Sequence, residues 1–236
     1  MNISNPNTFQ QHDVLTRMDQ TLTGWKQLGD RRCIFLGCYR MMTANMMAAI
    51  EDGYFQDRKW VERLLHHFAD YYFRGLQCNR RKNRAPAVWL QVHEATRSKK
   101  LHSLQYLLMG VNAHINYDLV LTLYDMLHPE WQELTSSRKE LRYQDHCRVN
   151  DIISETIDKV QDDILCKEDP IMGWLDAGMG RLDEYLISRL ITGWREEVWN
   201  HAQKLLAASN RMEYERLRKG FESDVIKTGA RLSLGV

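Results

Sequence analysis

Residues Leu101 to His128, LHSLQYLLMGVNAHINYDLVLTLYDMLH, decide the fold of this chain. The stretch is long enough for about seven turns of α-helix at 3.6 residues per turn. Its positions are apolar on nearly every side, which is typical of a helix that passes through the centre of a larger helical domain. We therefore predict a buried central helix with the other helices packed around it.

Four polar side chains interrupt the middle of this helix: Asn112, His114, Asn116 and Asp118. A buried amide or imidazole without a hydrogen-bond partner costs on the order of 1–3 kcal/mol, and an unpaired carboxylate costs more. At about 100° per residue, His114 and Asp118 lie one turn apart on one face, and the two asparagines form a second pair about 200° away. Four such groups so close together indicate a built site, either structural or chemical.

The pair of His114 and Asp118 has more than one interpretation. Both side chains can bind one metal ion. Alternatively, Asp118 can form a hydrogen bond with one ring nitrogen of His114 while the other ring nitrogen takes part in the chemistry. The alternative is a polar clamp that locks neighbouring helices together. The asparagine pair carries no charge and is better suited to bind neighbouring backbone or to orient a ligand.

A second His-x-x-x-Asp pair lies in the segment VERLLHHFADYYF, within a helix predicted over residues 58–76. His66 and Asp70 are one turn apart there, and Glu62 precedes His66 by another turn. Two antiparallel helices that present His and Asp on facing stripes are a common way to form a metal site inside a bundle. This second pair is therefore the natural partner of the pair on the central helix.

The predicted site joins both pairs around a divalent metal ion, with zinc expected and iron as the alternative. Its ligands are His66, Asp70, His114 and Asp118. A bound cation lowers the pKa of its water, and Asn112 or Arg195 would then stabilise the developing oxyanion. Arg195 also fits a structural role, because an arginine packed across a tryptophan face is common. Three further carboxylates are candidates to reach the centre: Asp19, Asp151 and Asp158.

Three functions are compatible with these residues. The first is a metal-dependent hydrolase that acts on an ester or phosphoester of a small molecule. The second is a non-catalytic binding or scaffold protein with a buried polar clamp and a pocket lined by the methionine-rich segment 41–47, which otherwise only fills the core. The third is a di-iron oxidase or oxygenase, which favours Glu-x-x-His pairs, and the sequence contains none.

Composition sets the remaining bounds. With 236 residues, 44% of them hydrophobic, the chain fits a single all-α domain of about six or seven helices. We predict a polar N-terminal lead over residues 1–12, the helical domain over 13–209 and a partly ordered C-terminal extension over 210–236. A net charge of +1 gives no reason to expect nucleic acid as a partner.

The expected location of the chain is the cytoplasm. Its five cysteines are scattered and form no Cys-x-x-Cys motif, which favours reduced thiols. No apolar run reaches the roughly 18 residues of a membrane span, and the polar N-terminus lacks the apolar core of a signal peptide. The sequence gives no indication of the oligomeric state.

Several segments together resemble one family of uncharacterised helical proteins from bacteria and fungi. They are RMD at 17–19, Tyr39 with Thr43, FADYYF at 68–73, GVNAHINYDL at 110–119, RVNDI at 148–152 and WREEVW at 194–199. The string NAHINxDL is the most specific of them. The resemblance spans roughly residues 15–208 and implies a helical domain whose signature is the central helix. It implies no particular reaction.

The ligand spacing is also weakly similar to that of the zinc-dependent phospholipase C and P1-type nuclease families. Those all-helical enzymes bind zinc largely through His and Asp, including His-x-x-x-Asp pairs on helices. This chain departs from them because they use an N-terminal tryptophan as a ligand and have helices richer in histidine. The similarity concerns spacing alone and implies zinc chemistry only by analogy.

Overall fold

The computed structural model describes residues 6–80, 85–98, 100–160 and 181–234, and within these ranges the chain is helical with no strand. The helices are α1 (Pro6–Gln27), α2 (Arg32–Glu51), α3 (Arg58–Arg80), α4 (Ala87–Ala95), α5 (Ser103–Ala113), a π-helix (His114–Leu119), α6 (Val120–Leu127), α7 (Ser136–Val160), α8 (Arg181–Leu206) and α9 (Arg211–Leu234). The predicted all-α class is confirmed.

The predicted central helix is present as one continuous helical segment made of α5, the π-helix and α6. It begins with a capping box, in which the backbone N–H of His102 donates to Oε1 of Gln105 at 2.9 Å. The segment contacts α2, α3, α4, α8 and α9, so it lies in the middle of the bundle. Counted as one, it brings the helices of the described ranges to eight, against the six or seven predicted.

Helix α2 packs closely against the central helix. At Gly110 an added Cβ would lie only 2.6 Å from the ring of Phe35, so glycine permits this approach.

The length and composition of α2 also meet the criteria for a membrane span, although just over half of that apolar window is buried inside the bundle. Core helices of globular proteins meet the same criteria, so α2 is weak evidence for a span.

The C-terminal segment, for which the sequence predicts partial order, forms helix α9 and packs on α4 and α5. Val225, Gly229 and Leu232 are its buried residues. Side chains of the neighbouring helices bind its backbone, since Gln91 Nε2 donates to the carbonyl of Ile226 at 3.0 Å. Polar side chains of other helices therefore contribute to the docking of α9. The weakly apolar sequence of α9 does not by itself indicate these contacts.

Candidate functional site

The middle of the central helix changes from α-helical to π-helical geometry over His114–Leu119. Such π segments are rare and are frequent at functional sites, because the extra residue per turn repositions side chains. His114 and Asp118 both belong to this segment and both are buried. The predicted polar site thus coincides with the one π-helix in the described part of the chain.

The pair predicted from sequence is present, and a third residue completes it. Nδ1 of His114 lies 2.9 Å from Oδ2 of Asp118. The indole N–H of Trp89 on α4 donates to both oxygens of the same carboxylate, at 3.2 and 3.0 Å. Asp118 therefore acts as an acceptor for both neighbours. Sequence reasoning missed Trp89, and the only available signal was that a buried indole N–H needs an acceptor.

Aromatic rings fix the His114 imidazole in place. The ring of Phe68 on α3 stacks on it with a centroid distance of 3.7 Å and an interplanar angle of 7°. Tyr39 on α2 meets it edge-on with a centroid distance of 4.4 Å. Together with the Asp118 hydrogen bond, these contacts leave the ring little freedom to reorient.

Burial sets the protonation of this pair. It lowers the pKa of His114 below its ordinary 6.5, so the imidazole is neutral near pH 7. Burial also raises the pKa of Asp118, and the His114 and Trp89 donors oppose that rise. With the Nδ1 proton directed at Asp118, Nε2 of His114 is a bare acceptor. It is buried and has no hydrogen-bond partner among the described residues.

His114 lies in the wall of a cavity of about 180 Å³. Side chains from α2, α3, α5, the π-helix, α7 and α8 form this wall, and most of them are apolar. Met42 and Met46 are among them, so part of the methionine-rich segment faces the cavity. The polar residues of the wall are Cys38, Tyr39, Thr43, His114, Thr156 and Arg195.

Arg195 on α8 is buried in the same wall, within a small polar network. Its Nε donates to Oδ1 of Asn150 at 2.7 Å, and its Nη2 donates to the carbonyl of His146 at 2.6 Å. Burial lowers the pKa of Arg195 to about 10, which leaves the guanidinium charged at pH 7. Of the metal ligands and catalytic residues predicted from the sequence, Arg195 and His114 are the two that line the cavity.

The second predicted pair lies elsewhere. Asp70 is exposed, with 60% of its side chain accessible, and its carboxylate lies 3.5 Å from Arg17. His66 is half-buried, and neither residue lines the cavity. Across the described residues, no group of three or more His, Cys, Asp or Glu side chains is placed to hold a metal ion. The structure thus brings His114 and Asp118 together without the pair from α3.

The asparagine pair faces α9. Nδ2 of Asn112 donates to the carbonyl of Val225 at 2.9 Å, and Oδ1 of Asn112 accepts a hydrogen bond from Asn116 at 2.9 Å. This is the backbone-binding arrangement that the uncharged pair suggested. Asn112 is buried and is not part of the cavity wall.

The additional candidate carboxylates stay at the surface where they are described. Asp19 pairs with Arg40 at 2.8 Å, and Asp151 accepts a hydrogen bond from the Tyr54 hydroxyl at 2.6 Å. Both hydrogen bonds are exposed, so these groups do not contribute to the centre. The side chain of Asp158 lies outside the described residues.

The fold and the site define a class: an all-α protein with a buried histidine at an apolar cavity inside its bundle. The chain belongs to the family of unknown function DUF5995, whose profile matches residues 11–234. No curated protein and no solved structure matches it.

Proposed function

We propose that the protein binds a small, mostly apolar molecule in the cavity, with Nε2 of His114 as the hydrogen-bond acceptor for that molecule. The observation that carries this proposal is the buried Nε2, which has no hydrogen-bond partner in the described part of the chain. A buried polar atom left without a hydrogen bond costs about 1–3 kcal/mol, and a ligand that donates a hydrogen bond removes that cost. The surrounding apolar side chains supply the rest of the binding energy.

The cavity limits the size of the ligand. At about 180 Å³ it is somewhat larger than an engineered apolar cavity of about 150 Å³ that binds benzene. A molecule of about six to ten non-hydrogen atoms matches this space. The fixed orientation of the His114 ring favours binding, because little freedom is lost when the hydrogen bond forms.

The test compares phenol with toluene, which have the same shape but differ in one hydroxyl donor. We expect phenol to bind at least about tenfold more tightly, because only phenol can donate to Nε2 of His114. Isothermal titration calorimetry on the full chain at pH 7 measures both dissociation constants. Equal affinities would show that His114 does not anchor the ligand.

Two variants locate the binding. Ile153 is a buried residue of the cavity wall, so Ile153→Phe fills part of the cavity and should abolish phenol binding. Leu190 on α8 is 39% exposed and lies outside the wall. Leu190→Phe therefore adds the same ring and should leave phenol binding unchanged. If neither compound binds to the parent protein, the proposal fails.

A metal-dependent hydrolase is the second candidate, and one observation favours it. A neutral imidazole whose Nδ1 is held by a carboxylate is the arrangement of many metal-binding histidines, with the other nitrogen free to bind the ion. A di-iron oxidase has less support, because it requires several carboxylates beside the metal.

Elemental analysis separates the two candidates. Untagged protein is measured by plasma mass spectrometry before and after dialysis against a chelator, with Asp118→Asn measured in parallel. A stoichiometric metal that is lost in the variant favours the metal-dependent hydrolase. Phenol binding in protein without stoichiometric metal favours the small-molecule binding protein.

A further inference from the structure

One positive charge lies in the wall of this mostly apolar cavity. Arg195 is the only residue with a charged side chain among the described residues of that wall, since the His114 imidazole is neutral. Its residue exposure is only 5%, so the guanidinium is largely removed from bulk solvent. No described carboxylate forms an ion pair with it.

The hydrogen bonds of Arg195 leave part of its guanidinium available. Nε and Nη2 are bound to Asn150 and His146, whereas Nη1 makes no hydrogen bond to a described residue. Arginine normally binds a carboxylate through two parallel N–H groups. The free Nη1 can donate to an anion that enters the cavity.

The neutral side chains around Arg195 hold it without cancelling its charge. Nε2 of His146 lies 2.9 Å from the backbone carbonyl of Arg195, to which it donates, so Nδ1 of His146 can accept from Nη2 at 3.3 Å. Burial, followed by the charge of Arg195, lowers the pKa of His146 well below 6.5, which keeps this ring neutral. Asn150 contributes an uncharged amide oxygen.

We propose that the ligand of this cavity is a hydroxy monocarboxylate: a small apolar body whose hydroxyl donates to Nε2 of His114 and whose carboxylate pairs with Arg195. This inference rests on the proposed binding function and specifies the class of molecule bound. A buried charge without a partner is strongly unfavourable, and one carboxylate balances one guanidinium. A doubly charged phosphate ester would leave an uncompensated negative charge in the same apolar space.

The experiment compares 4-hydroxybenzoate with 4-hydroxybenzyl alcohol, which share a phenol hydroxyl that can donate to His114 and differ in the charge of the second group. Isothermal titration calorimetry on the full chain at pH 7 gives both affinities. We expect 4-hydroxybenzoate to bind at least about tenfold more tightly, because its hydrogen bonds to Arg195 are charge-assisted.

Two substitutions test whether Arg195 causes that preference. Arg195→Met removes the charge at similar side-chain length, and it should abolish the preference while 4-hydroxybenzyl alcohol still binds. Arg189→Met removes an exposed arginine from the same helix α8 and should leave both affinities unchanged. The comparison in the parent protein needs no variant, so it holds even if Arg195→Met fails to fold.

The possible outcomes separate the two proposals. Equal binding of both compounds to the parent protein would overturn the carboxylate inference and leave the small-molecule cavity intact. A preference that persists in Arg195→Met would also overturn it, because the charge would then come from elsewhere. If 4-hydroxybenzoate, 4-hydroxybenzyl alcohol and phenol all fail to bind, the cavity function itself fails.

Discussion

The two His-x-x-x-Asp pairs of this chain have the same spacing and lie in different environments. On the central helix, His114 and Asp118 are 3% and 1% exposed and lie 2.9 Å apart. On α3, the carboxylate of Asp70 is 60% exposed and pairs with Arg17 instead. Spacing of four residues makes two side chains neighbours on a helix, but burial decides whether they become partners.

The orientation of α3 explains the difference. This helix presents Phe68, not Asp70, to the central helix, and the Phe68 ring stacks on His114. Phe68 follows His66 by two residues, which places the two side chains about 200° apart around the helix. Helix α3 therefore contributes the Phe68 ring to the site and directs the Asp70 carboxylate to the surface.

Replacement of Asp118 by Asn is the strongest test of this contrast. It keeps the volume but removes the charged acceptor shared by His114 and Trp89, so one buried donor loses its partner. We expect the free energy of unfolding to fall by about 2–3 kcal/mol. Chemical denaturation at pH 7 measures the change, and a loss below about 0.5 kcal/mol would mean that the pair is not buried.

Replacement of Asn112 by Ala tests an uncharged buried pair on the same helix. It leaves the carbonyl of Val225 and the amide of Asn116 without their present partner. The expected loss of unfolding free energy is smaller, about 1–2 kcal/mol, because neutral hydrogen bonds are weaker than those to a carboxylate. Hydrogen exchange should also show reduced protection in α9, and unchanged protection would argue against its docking through Asn112.

Replacement of Asp70 by Asn is the matched control, with the same chemical change at the same spacing. Only an exposed ion pair with Arg17 is lost, so the unfolding free energy should change by less than about 0.5 kcal/mol. The same denaturation experiment applies, with salt added to screen the ion pair. A loss comparable to that of Asp118→Asn would mean that Asp70 takes part in a buried site, as the four-ligand metal prediction requires.

Much of the central region followed from local sequence. The buried helix, the pairing of His114 with Asp118 and the pairing of Asn112 with Asn116 all appear in the structure. These features depend on helical periodicity. The sequence itself shows that the positions around this helix are apolar on nearly every side. The π-helical turn was not predicted, because nothing in the residue pattern distinguishes it from α-helix.

The sequence by itself determined the all-α class and the polar residues of the central helix, because both arise from contacts three or four residues apart. The tertiary structure alone decided that Trp89 completes the pair and that Phe68 stacks on His114. It also decided that Arg195 shares a cavity with His114. These contacts join helices far apart in the chain, and their relative rotation depends on the packing of the whole core.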